Sequence, residues 1–296
     1  MRLAFFGQSG PFAPPVLQIL LKELRGHEIV VAVEGQRRLP GRREHKILPP
    51  DPRPIQSSQD LGELATASGL PAIVTRDVND AGMVRRLKDY AVDLIVTVGF
   101  DRLFVPEVLA AARLGGINAH PSLLPELRGP SPIFWAVKSG CRELGVTLHA
   151  LDRREDHGVI LDQAPFRLPR RATGAEIYGI AGDLAGKMYL ELLRGVVNEL
   201  PLGRPQDHAR ATRAPRPRPE DVEVVPAEWQ CERLADFACG APYFRAPFLK
   251  LGDETFFVRC ALAVELGRHL PAQYVLTGST LVVQCKDGVV QLEIQV

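Results

Sequence analysis

Short apolar runs alternate with amphipathic stretches through the first two-thirds of the chain. Residues 2–6, RLAFF, form an apolar run that stops at Gly7 and Gly10, the pattern of a buried strand entering a turn. Residues 13–26, APPVLQILLKELRG, carry helical spacing, with prolines tolerated in the first turn and Gly26 as a stop. EIVVAV (28–33) is a second buried strand, followed by a Pro- and Arg-rich loop to about residue 56. The order continues as helix 60–69, the run PAIV, helix 80–90, strand 93–100, a short helix near 106–112 and a strand ending in GGINAH. Continuous rather than alternating apolar strands belong to a mostly parallel sheet covered on both faces. Such sheets bind ligands beyond the carboxyl ends of their strands, where Asn118, His120 and the turn GFDRLF (99–104) stand.

Residues 145–163, GVTLHALDRREDHGVILDQ, read as two strands joined by a charged loop. A long helix is expected over residues 173–200, opened by a capping box of Thr173 and Glu176. Residues 201–226 hold too many prolines for regular structure and read as a linker. From Trp229 onward, one helix and the short strands ETFFVRCALAVE, STLVVQC and GVVQLEIQV predict a small β-barrel or sheet. The expected fold class is therefore α/β. A Rossmann-like, mostly parallel sheet occupies residues 1–203, a linker 204–226, and a small C-terminal β domain 227–296.

Composition changes this picture little. The net charge of +1 gives no global argument for nucleic acid or membrane, so any such argument rests on local patches. Two exist. Arg37, Arg38, Arg42, Arg43, Lys46 and Arg53 oppose only Glu44 and Asp51, and the five arginines between Arg204 and Arg218 oppose only Asp207; each stretch carries +4. Basic patches of this kind suit a phosphate backbone. Five scattered cysteines and seven dispersed histidines suggest neither a disulfide framework nor a zinc site, and a reducing, cytoplasmic setting is expected. The start MRLAFFGQSG has too short an apolar run for a signal peptide, and no stretch is long enough to span a bilayer.

Candidate chemistry begins at GGINAHPSLLPELRGPSP, residues 115–132. Residues at i and i+2 of a strand share a face, so Asn118 and His120 project side by side. One is rich in amide hydrogen-bonding groups and the other can carry a proton near neutral pH. The prolines and glycine that follow forbid regular continuation and hold the strand end in a stiff loop. Ser122 has no Gly-x-Ser-x-Gly elbow around it and reads as a loop-bracing hydroxyl. Arg128 can bind substrate or tie down its own loop. His149, inside a strand, reads as a packed or hydrogen-bonded core residue, and His157 as solvated.

These segments resemble the formyltransferase family that uses 10-formyltetrahydrofolate. DLIVTVGFDRLFVPEVL followed by GGINAHPSLLPELRG is similar to its strand–turn–strand segment with Asn-x-His and Ser-Leu-Leu-Pro-x-x-Arg-Gly. GVTLHALDRREDHGVIL resembles its Gly-Val-Thr-x-His segment running into an Asp-x-Gly loop, although GQSG departs from the usual first turn. The resemblance implies a catalytic trio of Asn118, His120 and Asp156, with Asp156 preferred to Asp152 for its spacing before Gly158. It implies a folate pocket at Phe100, Asp101, Arg102, Leu103 and Phe104, and no metal. Its two-domain members carry a C-terminal barrel of the OB type after a linker, as this layout suggests. Gly10, Arg42, Arg43, Ser122 and Arg128 are the candidate substrate contacts. The acceptor stays open between initiator tRNA and a small amine such as an amino-sugar nucleotide, and a hydrolase passing formyl to water is a further alternative.

Overall fold

The computed structural model describes residues 1–35 and 60–295. Apart from Gly35, the first basic loop, with Arg42 and Arg43, lies outside the described residues. The chain runs β1 (Arg2–Gly7), α1 (Ala13–Glu23), β2 (Glu28–Gly35), α2 (Leu61–Ala67), β3 (Ala72–Thr75), α3 (Ala81–Asp89), β4 (Leu94–Val98), α4 (Pro106–Leu109) and β5 (Gly116–His120). It continues through α5 (Pro132–Ser139), β6 (Glu143–Ala150), β7 (Ile160–Arg167) and α6 (Gly174–Gly195). These strands form one seven-stranded sheet in the order β3-β2-β1-β4-β5-β6-β7. β1 to β5 pair in parallel, and β6 and β7 are added antiparallel.

The continuous apolar strands are buried on both faces, as their pattern predicts. Leu3 and Phe5 pack with α1 and α6 through Leu17, Ala181 and Ala185. Their alternate neighbours Ala4 and Phe6 pack on the other face with Met83 and Leu87 of α3 and Val108 of α4. Gly7, the last residue of β1, leaves no room for a side chain, since a Cβ there would stand 2.7 Å from Ala13 Cβ at the start of α1.

Three expectations shift. Pro132 reads as a breaker in sequence but opens α5, at a position where its missing N–H costs nothing. α6 has the expected capping box of Thr173 and Glu176 but stops at Gly195, with Val196 already extended, rather than running to residue 200. The linker crosses the molecule with 3₁₀ turns at His208–Arg210 and Pro219–Val222 and the short β8 (Glu223–Val224).

Beyond it come α7 (Cys231–Gly240), β9 (Phe248–Leu251), β10 (Glu254–Leu266), β11 (Tyr274–Thr277), β12 (Thr280–Cys285) and β13 (Gly288–Ile294). With β8 they form a second sheet, ordered β11-β12-β13-β10-β9-β8, antiparallel except for the β8–β9 pair. A continuous buried cluster joins the two sheets: Ile133, Phe134 and Val137 of α5 and Ile177 of α6 pack with Leu234 and Phe237 of α7 and Leu249 and Leu292. No described helix is long and apolar enough to cross a membrane.

Candidate active site

The register of β4, β5 and β6 aligns Thr97, Asn118 and His149 in one row across three strands. Directly opposed residues share a sheet face, so the three side chains meet. The Thr97 hydroxyl donates to Asn118 Oδ1 at 2.7 Å, and Asn118 Nδ2 lies 3.1 Å from His149 Nε2. His149 Nδ1 is 2.9 Å from the Ala150 carbonyl. A proton on Nδ1 satisfies that carbonyl and leaves Nε2 to accept from Asn118. The amide of Asn118 is thus fixed at both ends, with a second N–H left over. Beneath the row, the buried Tyr189 hydroxyl of α6 binds the carbonyls of Thr97 and Ile117 at 2.9 and 3.0 Å. It ties the ends of β4 and β5 together.

His120, two residues beyond Asn118, is 4% exposed. Its Nε2 lies 2.9 Å from the Leu127 carbonyl, and its Nδ1 faces Asp156 Oδ1 at 3.5 Å. Asp156 Oδ1 is also 3.5 Å from His149 Nε2, while Oδ2 accepts the Gly129 N–H at 2.8 Å. The trio implied by the sequence therefore converges, and His149 joins it. Two residues flanking the cluster, Leu127 (φ 58) and Asp156 (φ 52), are left-handed. That conformation costs a non-glycine residue about 1–2 kcal/mol and so must be held by neighbours. The return of the loop requires Gly158, where a Cβ would come within 1.8 Å of the Ala150 carbonyl oxygen.

Burial lowers the His120 imidazole from its ordinary value, with Asp156 and the Leu127 carbonyl pulling the other way. Burial would raise the Asp156 carboxyl, but the neighbouring His120 and the Gly129 amide pull the other way, and it is held well below the usual carboxylate range. The resting site is a neutral imidazole facing an ionised carboxylate. A proton arriving on Nδ1 meets that charge.

The remaining candidates divide. Asp152 is half-exposed and meets the Arg154 amide and His157, while Asp156 is the carboxylate that faces His120. His157 is not simply solvated: its ring stacks on His208 at 4.0 Å. Ser122 is fully buried and donates to the Glu126 carbonyl at 2.6 Å, so it braces the loop and does not meet substrate. Arg128 is likewise buried, its Nε and Nη2 on Gln206 Oε1 at 3.1 and 2.5 Å, so it ties its loop to the linker. Gly10 is buried in the turn after β1, where a Cβ would stand 3.6 Å from Tyr243 Oη.

In the 99–104 turn, Phe100 and Phe104 stack at 5.4 Å and both meet Phe6 edge-on. Phe104 is buried in the core, whereas Leu103 is exposed. Asp101 pairs with Arg102 and Arg216 at 3.2 Å each.

The arginines of the second basic patch all have partners. Arg204 binds Gln163, Arg210 binds Glu126, Arg213 binds Glu155, Arg216 binds Asp101, and Arg218 binds Glu220 and Asp221. Sequence reasoning gave Thr97 no role and His149 only a core one. Their signal is strand register, which appears only once β4, β5 and β6 are paired.

The sequence model of the family described as formyl transferase matches residues 1–193. A methionyl-tRNA formyltransferase of Synechococcus sp. (strain JA-3-3Ab) is 36% identical over 231 residues, 78% of this chain and 67% of that protein. That of Moorella thermoacetica is 35% identical over 294 residues, covering 95% and 90%. Among solved structures, the sugar 3N-formyl transferase WlaRD, determined with dTDP and 5-N-formyl-THF, has a TM-score of 0.68 at 14% identity over 99% of this chain and 97% of that one. Methionyl-tRNA formyltransferase from Clostridium thermocellum has a TM-score of 0.61 at 14% identity, covering 100% and 99%.

Proposed function

We propose that this chain, which belongs to the formyl transferase family, moves the formyl group of 10-formyltetrahydrofolate to the amine of initiator methionyl-tRNA, using Asn118, His120 and Asp156. It is a folate-dependent one-carbon transferase. The observation that carries the acceptor assignment is likeness through both sheets: the Moorella thermoacetica relative aligns with 95% of the chain. We read residues 1–203 as the catalytic part and the C-terminal sheet as the counterpart of an OB-type barrel. The turn at Phe100–Phe104, with backbone groups and the apolar Phe100 and Leu103, suits a flat pteridine donor.

In the reaction the amine nitrogen attacks the formyl carbon, and the carbonyl electron pair moves onto oxygen. The second N–H of Asn118 donates to that oxyanion; losing one such donor typically costs about 10²–10³ in rate. His120, neutral at rest, takes the proton from the attacking nitrogen and becomes an imidazolium stabilised by Asp156. When the oxyanion collapses, the bond from carbon to the folate nitrogen breaks, and His120 returns the proton to that nitrogen. Charge and protons balance. Asp156 stays ionised throughout, as its lowered titration requires.

A second reading, transfer to a small amine such as that of an amino-sugar nucleotide, draws on one observation. The arginines between Arg204 and Arg218 already hold carboxylates or an amide, so one of the two basic stretches is not free for phosphates. A salt titration separates the readings. Binding of initiator tRNA should weaken steeply with salt, with a log–log slope of roughly −0.9 per neutralised phosphate of a duplex. The double change Arg42→Ala, Arg43→Ala should flatten that slope. Weak, salt-insensitive binding would leave the small amine as acceptor.

A further inference from the structure

The segment between α6 and the C-terminal sheet does more than connect them. At one end Arg204 and Ile160 exchange two backbone hydrogen bonds, at 2.7 and 2.8 Å. Further on, Arg128 donates its N–H to the Thr212 carbonyl at 2.9 Å and accepts the Ala214 N–H at 2.7 Å. Between these anchors the chain passes across both loops that carry the catalytic groups.

Gln206 sits at the crossing and is 6% exposed. Its Nε2 donates to the Asp156 carbonyl at 3.0 Å and to the Gly158 carbonyl at 2.8 Å. Its Oε1 accepts both the Nε and Nη2 hydrogens of Arg128. One amide therefore joins the Asp156 loop to the loop after β5, and every hydrogen-bonding group it has is used. Thr212 acts on the other side: its hydroxyl accepts the Leu127 N–H at 2.8 Å. Leu127 is the residue whose carbonyl holds His120 Nε2. The two left-handed residues of the site, Asp156 and Leu127, are thus each held by a side chain from this segment.

We propose that residues 204–214 form a positioning strap, in which Gln206 and Thr212 lock Asp156 and Leu127 in the strained conformations that orient His120. Neither side chain touches reacting atoms; both act through the residues they hold. The inference rests on the reading of Asn118, His120 and Asp156 as the catalytic groups. It also explains why Arg128 is buried against Gln206 instead of facing a ligand.

The test follows the His120 ring by NMR titration in wild type, Gln206→Leu, Thr212→Val, Thr212→Ser and Asp156→Asn. The groups that set this titration are Asp156, His149, Glu155 and the Leu127 carbonyl. Gln206→Leu and Thr212→Val should displace the midpoint in the direction Asp156→Asn does, while Thr212→Ser, which keeps the hydroxyl, stays at wild type. Misplacement by about 1 Å can cost roughly 10²-fold, so kcat of Gln206→Leu, read as tetrahydrofolate release, should fall about 10- to 100-fold with KM little changed. Thr212→Val should lose about fivefold, the worth of one hydrogen bond. Should Gln206→Leu not fold, Thr212→Val decides, because Thr212 is exposed. Wild-type titration midpoints in folded variants would overturn the strap, leaving the segment a mere connection. His120→Ala in the same assay separates the two claims. Full turnover there refutes the trio itself, whereas an inactive His120→Ala beside wild-type strap variants refutes the strap alone.

Discussion

Replacing Asp156 by Asn removes one charge and almost no volume. In the structure that charge stands 3.5 Å from His120 Nδ1 and is 10% exposed. At an effective dielectric of about 20, a unit pair at that distance interacts by about 5 kcal/mol. The interaction is absent while the imidazole is neutral and appears as it takes the proton of the attacking amine. If half of it is present in the transition state, kcat falls by roughly 10²-fold, since about 1.4 kcal/mol is a factor of ten. The oxygen of the substituted amide still accepts the Gly129 N–H, so the loop should hold and KM should change little. Losing the carboxylate also removes a group that raises His120, so the acidic limb of the kcat profile should move to lower pH. Asp152→Asn is the control, because Asp152 is 40% exposed and pairs with His157 and a backbone amide. The assay is tetrahydrofolate release from about pH 5 to 9 for both variants, a range that brackets the ordinary histidine value. Equal losses in the two, or an Asp156→Asn kcat within about threefold of wild type, would show that Asp156 does not stabilise the His120 imidazolium.

His120→Ala and Asn118→Ala should each lower kcat by about two orders of magnitude or more with unfolding temperatures near wild type; measuring both in one preparation checks the pair. Tyr189→Phe removes the buried hydroxyl that meets the carbonyls of Thr97 and Ile117 and should cost about 1–2 kcal/mol by urea unfolding. Because burial lowers His120, the unfolded chain binds a proton that the native one does not. Stability should therefore fall as pH drops below about 6.5, and His120→Gln should reduce that slope in unfolding curves at about pH 7 and 5.

The parallel sheet was legible because its strands are continuous apolar runs separated by helical spacing, a pattern with few other uses. Asn118 and His120 were legible because a two-residue spacing in a strand fixes their common face. Asp156 needed the family resemblance, since its approach to His120 depends on a left-handed turn and the close return at Gly158. His149 was legible as a buried, hydrogen-bonded residue, but its partner was not, because Asn118 is 31 residues away and only strand pairing brings them together. Arg128 and Gln206 lie 78 residues apart, so nothing local marks their contact. The arginines of the linker looked free because their partners, Glu126, Glu155 and Asp101, are distant in sequence. Net charge over a short window records composition, and pairing is a property of the fold.

Formyl transfer from folate to an amine by Asn118, His120 and Asp156 is the reaction we propose. It is tested by supplying 10-formyltetrahydrofolate with the formyl carbon labelled, alongside initiator methionyl-tRNA or a panel of amino-sugar nucleotides, and following the label. Tetrahydrofolate should appear in step with label on the amine of methionyl-tRNA, and both should fall by at least about 10²-fold in His120→Ala. Label that reaches none of these amines, or reaches one equally fast in His120→Ala, would contradict it.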